Sequence, residues 1–188
     1  MKTKNKIILA SSSPRRRELF DQYGLDYIVD YVETDEVLDE SLTLSKRLEN
    51  IALQKARPLK SKYPHHIIIS GDTMVICHQQ MMGKPKDRQE AKELLKLLSH
   101  HEQVVMSAVC IIDENKEMTF CDETKVIFHQ LSEQDIEEYL DTNEWIGKAG
   151  GYAIQGIAKK FVKEVIGDQE TVIGFPMKLI MNYLSDKK

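Results

Sequence analysis

The chain has 188 residues, 41% of them apolar, enough to bury one substantial core and too few for two independent domains. Its 26 Lys and Arg against 30 Asp and Glu leave a net charge of −4, which argues against general attraction to nucleic-acid backbones or anionic membranes, so a phosphate ligand has to be gripped locally. Three cysteines, Cys77, Cys110 and Cys121, lack metal-type spacing and fit reduced, buried thiols in a reducing, cytoplasmic compartment.

Residues 6–10 read as a short buried strand, and this apolar run ends too early for a signal-peptide core or a membrane span. Ser13 then offers an N-cap oxygen and Pro14 is pre-set for the first helical position, so a strand runs straight into a helix. Residues 26–32 read as a second strand, followed by an acidic loop and a helix over 43–63 with Leu44, Leu48, Ile51 and Ala52 on one face. Residues 66–77 are the most β-rich segment. After Gly83-Lys84-Pro85, Asp87 caps a helix whose Ala91, Leu94, Leu95 and Leu98 form a stripe. Residues 103–113 and 117–129 read as strands joined by a turn, and 132–135 as a capping box opening another helix. Glycines at 147, 150, 151, 156, 167 and 174 predict tight turns and close backbone approaches, and Pro176 starts a final helix. Strands and helices mix along the whole chain without repeats or linkers, which predicts a single α/β domain, of one or two lobes, with a mixed twisted sheet.

Six segments carry groups suited to chemistry. In Ser11-Ser12-Ser13-Pro14-Arg15-Arg16-Arg17 a helix N-terminus, hydroxyls and guanidinium groups meet after a strand, as a phosphate cradle requires; a capped helix with solvated arginines reads equally well. Asp72 follows a hydrophobic run beside Gly71 and can bind a divalent cation or activate water, although an isolated Gly-Asp is more often an ordinary turn. Lys84 is held between Gly83 and Pro85 and loses less freedom on pairing with an anion, although a lone Gly-Lys-Pro is a common turn. Glu33, Asp35 and Glu36 form an acidic group that can complete oxygen ligation of Mg²⁺, or remain a solvated loop. Lys55 lies four residues after Ile51, near the apolar stripe, where its charge needs a partner unless it snorkels to water. Gln155, in Lys148-Ala149-Gly150-Gly151-Tyr152-Ala153-Ile154-Gln155-Gly156, both donates and accepts, which suits a base edge, while the segment also reads as a plain glycine-rich β-turn.

The order SSSPRR, acidic loop, QKA, GDT, GKP, KAGGYAIQG and GFP resembles the Maf family of nucleotide pyrophosphatases across essentially the whole chain. The resemblance implies an elongated α/β fold with helices around a central cleft, akin to the inosine triphosphatases. It implies that Asp72 is the catalytic carboxylate, as proton acceptor or metal ligand, and that Glu36 helps hold Mg²⁺ or Mn²⁺. It assigns Ser11, Arg15, Arg16, Lys55 and Lys84 to the triphosphate. Arg15, Thr73 and Gln155 match the branch that prefers dTTP and UTP over 7-methyl-GTP, with modified pyrimidines such as 5-methyl-UTP or pseudo-UTP as further candidate substrates. Departures from the family pattern are Gly151 and Ala153 in the glycine-rich motif, Phe175 in place of Leu in GLP, and Trp145 with Gly147 before Lys148.

The expected reaction is hydrolysis of a nucleoside triphosphate at the α phosphorus to the monophosphate and pyrophosphate, by a homodimer that acts on neither nucleic acid nor membrane. The rivals are a phosphatase that removes the γ phosphate and a nucleotide-binding regulator of septum formation without turnover.

Overall fold

A computed structural model describes residues 6–37 and 39–186. The basic start of the chain, residues 1–5, lies outside them. Among the described residues the fold is mixed α/β, with seven strands in one sheet, in the order β2(Tyr27–Val29), β1(Ile7–Ala10), β3(Ile67–Cys77), β5(Glu102–Ile112), β6(Glu117–Phe128), β7(Val162–Ile166), and with β4(Gln80–Met82) paired to β3. β1 pairs parallel with β2 and β3, whereas the β3–β4 and β6–β7 pairs are antiparallel. The helices are α1(Pro14–Gln22), α2(Leu44–Ala56), α3(Arg88–Leu98), α4(Glu133–Asp141), α5(Gln169–Ile173) and α6(Met177–Ser185).

The chain divides into two compact units. The first comprises the residues up to 72, 107–122 and those from 174 on. Its β1 buries Ile7, Ile8 and Leu9, the continuous apolar run expected of a parallel strand covered on both faces. Leu19 and Phe20 of α1, Leu48, Ile51 and Ala52 of α2, and Ile180 and Leu184 of α6 are buried with it. The second comprises 73–106 and 123–173. Its core gathers Val75 and Val105 from the strands, Ala91, Leu95 and Leu98 from α3, Ile136, Tyr139 and Leu140 from α4, and Phe128, Tyr152 and Phe161.

Caps follow the sequence closely. Asp87 accepts from the Glu90 N–H at 2.8 Å, and Ser132 and Asp135 form the reciprocal capping box. Ser13 takes the N-cap position of α1 without a side-chain cap bond; its own N–H donates to Ser11 Oγ instead. The helix expected over 43–63 ends at Ala56, because Pro58 has no N–H to donate four residues back and its ring crowds that turn; Arg57 keeps helical angles and a 3-10 turn, Arg57–Leu59, follows. The second strand shortens to Tyr27–Val29. β4, β7 and α5 carry too few residues to show a period in the sequence.

Cys77 and Cys110 are buried, while Cys121 is partly exposed, against the expectation that all three are buried. Burial pushes the Cys77 thiol up, and drives Cys110 up to about 12. Only the thiolate is nucleophilic, so a raised value keeps a thiol inert as pH climbs. Iodoacetamide at pH 8 to 9 is expected to label native protein at Cys121 first, read by peptide mass; labelling of Cys110 ahead of it contradicts the packing.

Gly71 is a point of close approach. A β-carbon there would lie 2.5 Å from the Phe175 ring and 2.6 Å from the Ala108 carbonyl oxygen. Backbone cannot yield as a flexible side chain does, so Gly71→Ala is expected to cost about 1–3 kcal/mol in urea unfolding. An unchanged midpoint contradicts this packing.

Candidate functional site

In the first unit, β1 ends at Ala10 and α1 begins at Pro14, leaving three serines at the helix entrance. Ser11 is buried, and its Oγ accepts from the Ser13 N–H at 3.3 Å and from Arg16 Nη1 at 3.1 Å. Arg16 Nε donates to the Gly174 carbonyl at 2.9 Å, and the guanidinium lies 5.0 Å from the centre of the Phe175 ring. Burial above all lowers the Arg16 pKa to about 10, with Asp72 and Glu36 opposing the shift and Arg15 adding to it. Arg16 is therefore cationic at neutral pH, with two of its nitrogens committed to holding the α1 entrance against the Gly-Phe-Pro turn. Arg15 is partly exposed on the first turn of α1.

A second group forms around Lys55. The stripe of Leu48, Ile51 and Ala52 is buried, and helical spacing carries Lys55 onto the same side. Its ammonium donates to Asp72 Oδ1 at 2.6 Å and pairs with Glu36 Oε1 at 2.7 Å. Lys55 and Asp72 side chains are about a fifth exposed (20% and 19%), while Glu36 is 43% exposed. Three neutral hydrogen bonds, from two side chains, set this geometry. Ser70 Oγ, two residues before Asp72 and so on the same strand face, donates to the Ala52 carbonyl, fastening β3 to the turn of α2 below Lys55. Gln54 clasps the acidic loop, accepting from the Val37 N–H at 3.1 Å and donating to the Val37 carbonyl at 3.0 Å, which places Glu36 beside Lys55. Glu33 and Asp35 are exposed on the same loop. Sequence reasoning missed Ser70 and Gln54, although Gln54 sits in the Gln-Lys-Ala triplet.

Among the described residues no group of three or more His, Cys, Asp or Glu is arranged to hold a metal ion. Asp72 and Glu36 nevertheless converge on one cationic point with hard oxygen donors. That donor set fits Mg²⁺ or Mn²⁺, which are commonly bound by one or two carboxylates with water and substrate phosphate completing the shell.

In the second unit, Thr73 opens its share of β3 and is partly exposed. Lys84 is exposed in the turn after β4, and the Gly150 N–H donates to the Gly83 carbonyl at 3.0 Å. The Gly-Lys-Pro turn and the glycine-rich motif are thus joined. Gln155 is exposed near the end of that motif. Of the residues singled out from the sequence, the structure brings together Asp72, Lys55 and Glu36, and pairs Ser11 with Arg16.

A family model described as Maf-like protein matches residues 6–187. A protein of Acholeplasma laidlawii named dTTP/UTP pyrophosphatase is 41% identical over 183 residues, covering 96% of this chain and 95% of that protein. Proteins of the same name from Bacillus velezensis and a Geobacillus strain are 39% and 38% identical, covering 96% and 91% of this chain and 96% and 92% of their own lengths. Among the described residues no helix is long and apolar enough to cross a membrane.

Arg16→Lys tests the frame. A single ammonium cannot reproduce the planar fork that spans Gly174 and Ser11, and hydrogen bonds from a charged donor are worth about 1.5–3 kcal/mol. The urea midpoint is expected to fall by a corresponding amount, whereas wild-type stability would show that the fork holds nothing.

Proposed function

The chain belongs to the Maf family, and on that premise we propose that it is a nucleoside triphosphate pyrophosphatase acting on dTTP and UTP. The name shared by several relatives at 37–41% identity supports the reaction. The observation that carries the assignment of roles is the convergence of Asp72 and Glu36 on Lys55.

In this reading water attacks the α phosphorus. A new P–O bond forms as the bond from that phosphorus to the α–β bridging oxygen breaks, and the bridging oxygen leaves with pyrophosphate. Asp72 takes the proton from water. Lys55 exchanges a carboxylate partner for a phosphate oxygen, and Arg15 and Lys84 add positive charge for the triphosphate. Arg16, its nitrogens engaged in the frame, contributes its charge and keeps Ser11 and the α1 entrance in place. A divalent cation held through Asp72 and Glu36 would neutralise phosphate charge. Arg15, Thr73 and Gln155 set the preference for a pyrimidine base, in line with the resemblance. The chain works as one domain, a reading supported by a single family model over residues 6–187. It acts in the cytoplasm, and the resemblance supports a homodimer.

Purified protein with Mg²⁺ or Mn²⁺ is expected to convert dTTP and UTP to monophosphate and pyrophosphate. Asp72→Asn, folded by circular dichroism, is expected to lose about 100-fold or more in kcat, the scale of a removed general base. Diphosphate with free phosphate as products would contradict attack at the α phosphorus. Tight binding without products would favour a regulator, and near-normal turnover by Asp72→Asn would overturn the role of Asp72.

A further inference from the structure

Glu144 lies after α4, ahead of the glycine-rich motif that carries Gln155, and both belong to the second unit. The turn that leads to it puts Asn143 at φ 58, a left-handed conformation that Asn tolerates better than most residues. The chain then bends so that the Glu144 carboxylate reaches forward along the sequence. One oxygen accepts from the Ile157 N–H at 2.9 Å, and the other lies 3.5 Å from the Ala158 N–H. These are the residues immediately after Gln155-Gly156. Gly156 completes the fit, since a β-carbon there would sit 2.3–2.5 Å from the Glu144 carboxylate. Its φ of −103 is open to any residue, so glycine is needed there for space and not for backbone conformation. Lys148 Nζ donates to the Glu144 carbonyl oxygen, tying the start of the motif to the same residue. Tyr139 Oη of α4 donates to the Gly151 carbonyl at 3.0 Å. The segment bearing exposed Gln155 is thus fastened on its near side by Tyr139 and on its far side by Glu144.

We propose that Glu144 is a positioning residue for base recognition: by clamping the backbone at Ile157 and Ala158 against Gly156, its carboxylate presents the Gln155 amide in one orientation to the pyrimidine. The proposal rests on the assignment of Gln155 as the base-reading residue. A side-chain amide discriminates between base edges only if its donor and acceptor are held in register, and a site built on unsatisfied polar groups is what rejects the wrong partner. Glu144 itself touches neither phosphate nor base.

The test compares UTP with GTP in steady-state kinetics for wild type, Gln155→Ala, Glu144→Gln, Glu144→Ala and Gly156→Ala. Gly156→Ala pushes the carboxylate aside through the flexible end of its side chain, so it releases the clamp without removing Glu144. Glu144→Ala and Gly156→Ala are both expected to raise KM for UTP about tenfold, with kcat falling less than about threefold, and to shrink the UTP-to-GTP ratio of kcat/KM about tenfold, the signature of lost binding discrimination. Glu144→Gln keeps one acceptor and is expected to fall between these variants and wild type. The double variant Glu144→Ala/Gly156→Ala is expected to be no worse than either single change, because the added methyl enters space the carboxylate has left. Equal losses on UTP and GTP, with the ratio preserved, would overturn the proposal and leave Glu144 a purely structural residue. A wild-type enzyme without preference for UTP, or a Gln155→Ala variant that keeps it, would instead overturn the base-reading assignment. If Glu144→Ala fails to fold, Gly156→Ala and Glu144→Gln decide the same question.

Discussion

A lysine ammonium shared by two carboxylates is the constraint around which the first unit is arranged. Asp72 and Glu36 carry like charge, and bringing them to one point is unfavourable unless a cation stands between them. Lys55 is that cation, at 2.6 and 2.7 Å. It reaches the point because α2 is fastened to β3 through Ser70 and the acidic loop is fastened to α2 through Gln54. The three acidic and basic groups are partly exposed, so their mutual attraction adds little to stability. What the arrangement retains is chemical: two carboxylates whose neutralising charge sits on a flexible side chain, so that in the proposed function the lysine can turn to a phosphate and the carboxylates to a metal ion.

The buried guanidinium of Arg16 has the opposite character. Removing it from water is unfavourable, and its lowered pKa reflects that penalty. The Gly174 carbonyl, the Ser11 hydroxyl and the face of Phe175 offset it. Phe175 stands where the family pattern has Leu, and in this chain the ring serves two neighbours, lying beneath the guanidinium and over Gly71. A close-packed interior leaves no room for a second large group there, so the residue beside Asp72 is glycine.

Much of this was legible in the chain. Alternating β-rich and amphipathic segments indicated the α/β class, and the caps at Asp87 and Ser132 were readable because a cap needs only a few neighbouring residues. The position of Lys55 beside an apolar stripe raised the need for a partner, although a lysine snorkelling to water was the default reading of the sequence. Neither Ser70 nor Gln54 was readable as a support, because their bonds join residues 18 and 17 positions apart and no local pattern records a contact between elements. Glu144 escaped for a related reason: an isolated glutamate after a helix looks like solvated surface until the chain is seen to return to it. The overlong helix at 43–63 shows a propensity pattern overridden by one residue, Pro58.

Hydrolysis of UTP in water enriched in oxygen-18 measures the bond-forming event itself. Attack at the α phosphorus puts one labelled oxygen into uridine monophosphate and leaves pyrophosphate unlabelled. Label in pyrophosphate and an unlabelled monophosphate would mean attack at the β phosphorus, and would contradict the chemistry assigned to Asp72 and its partners.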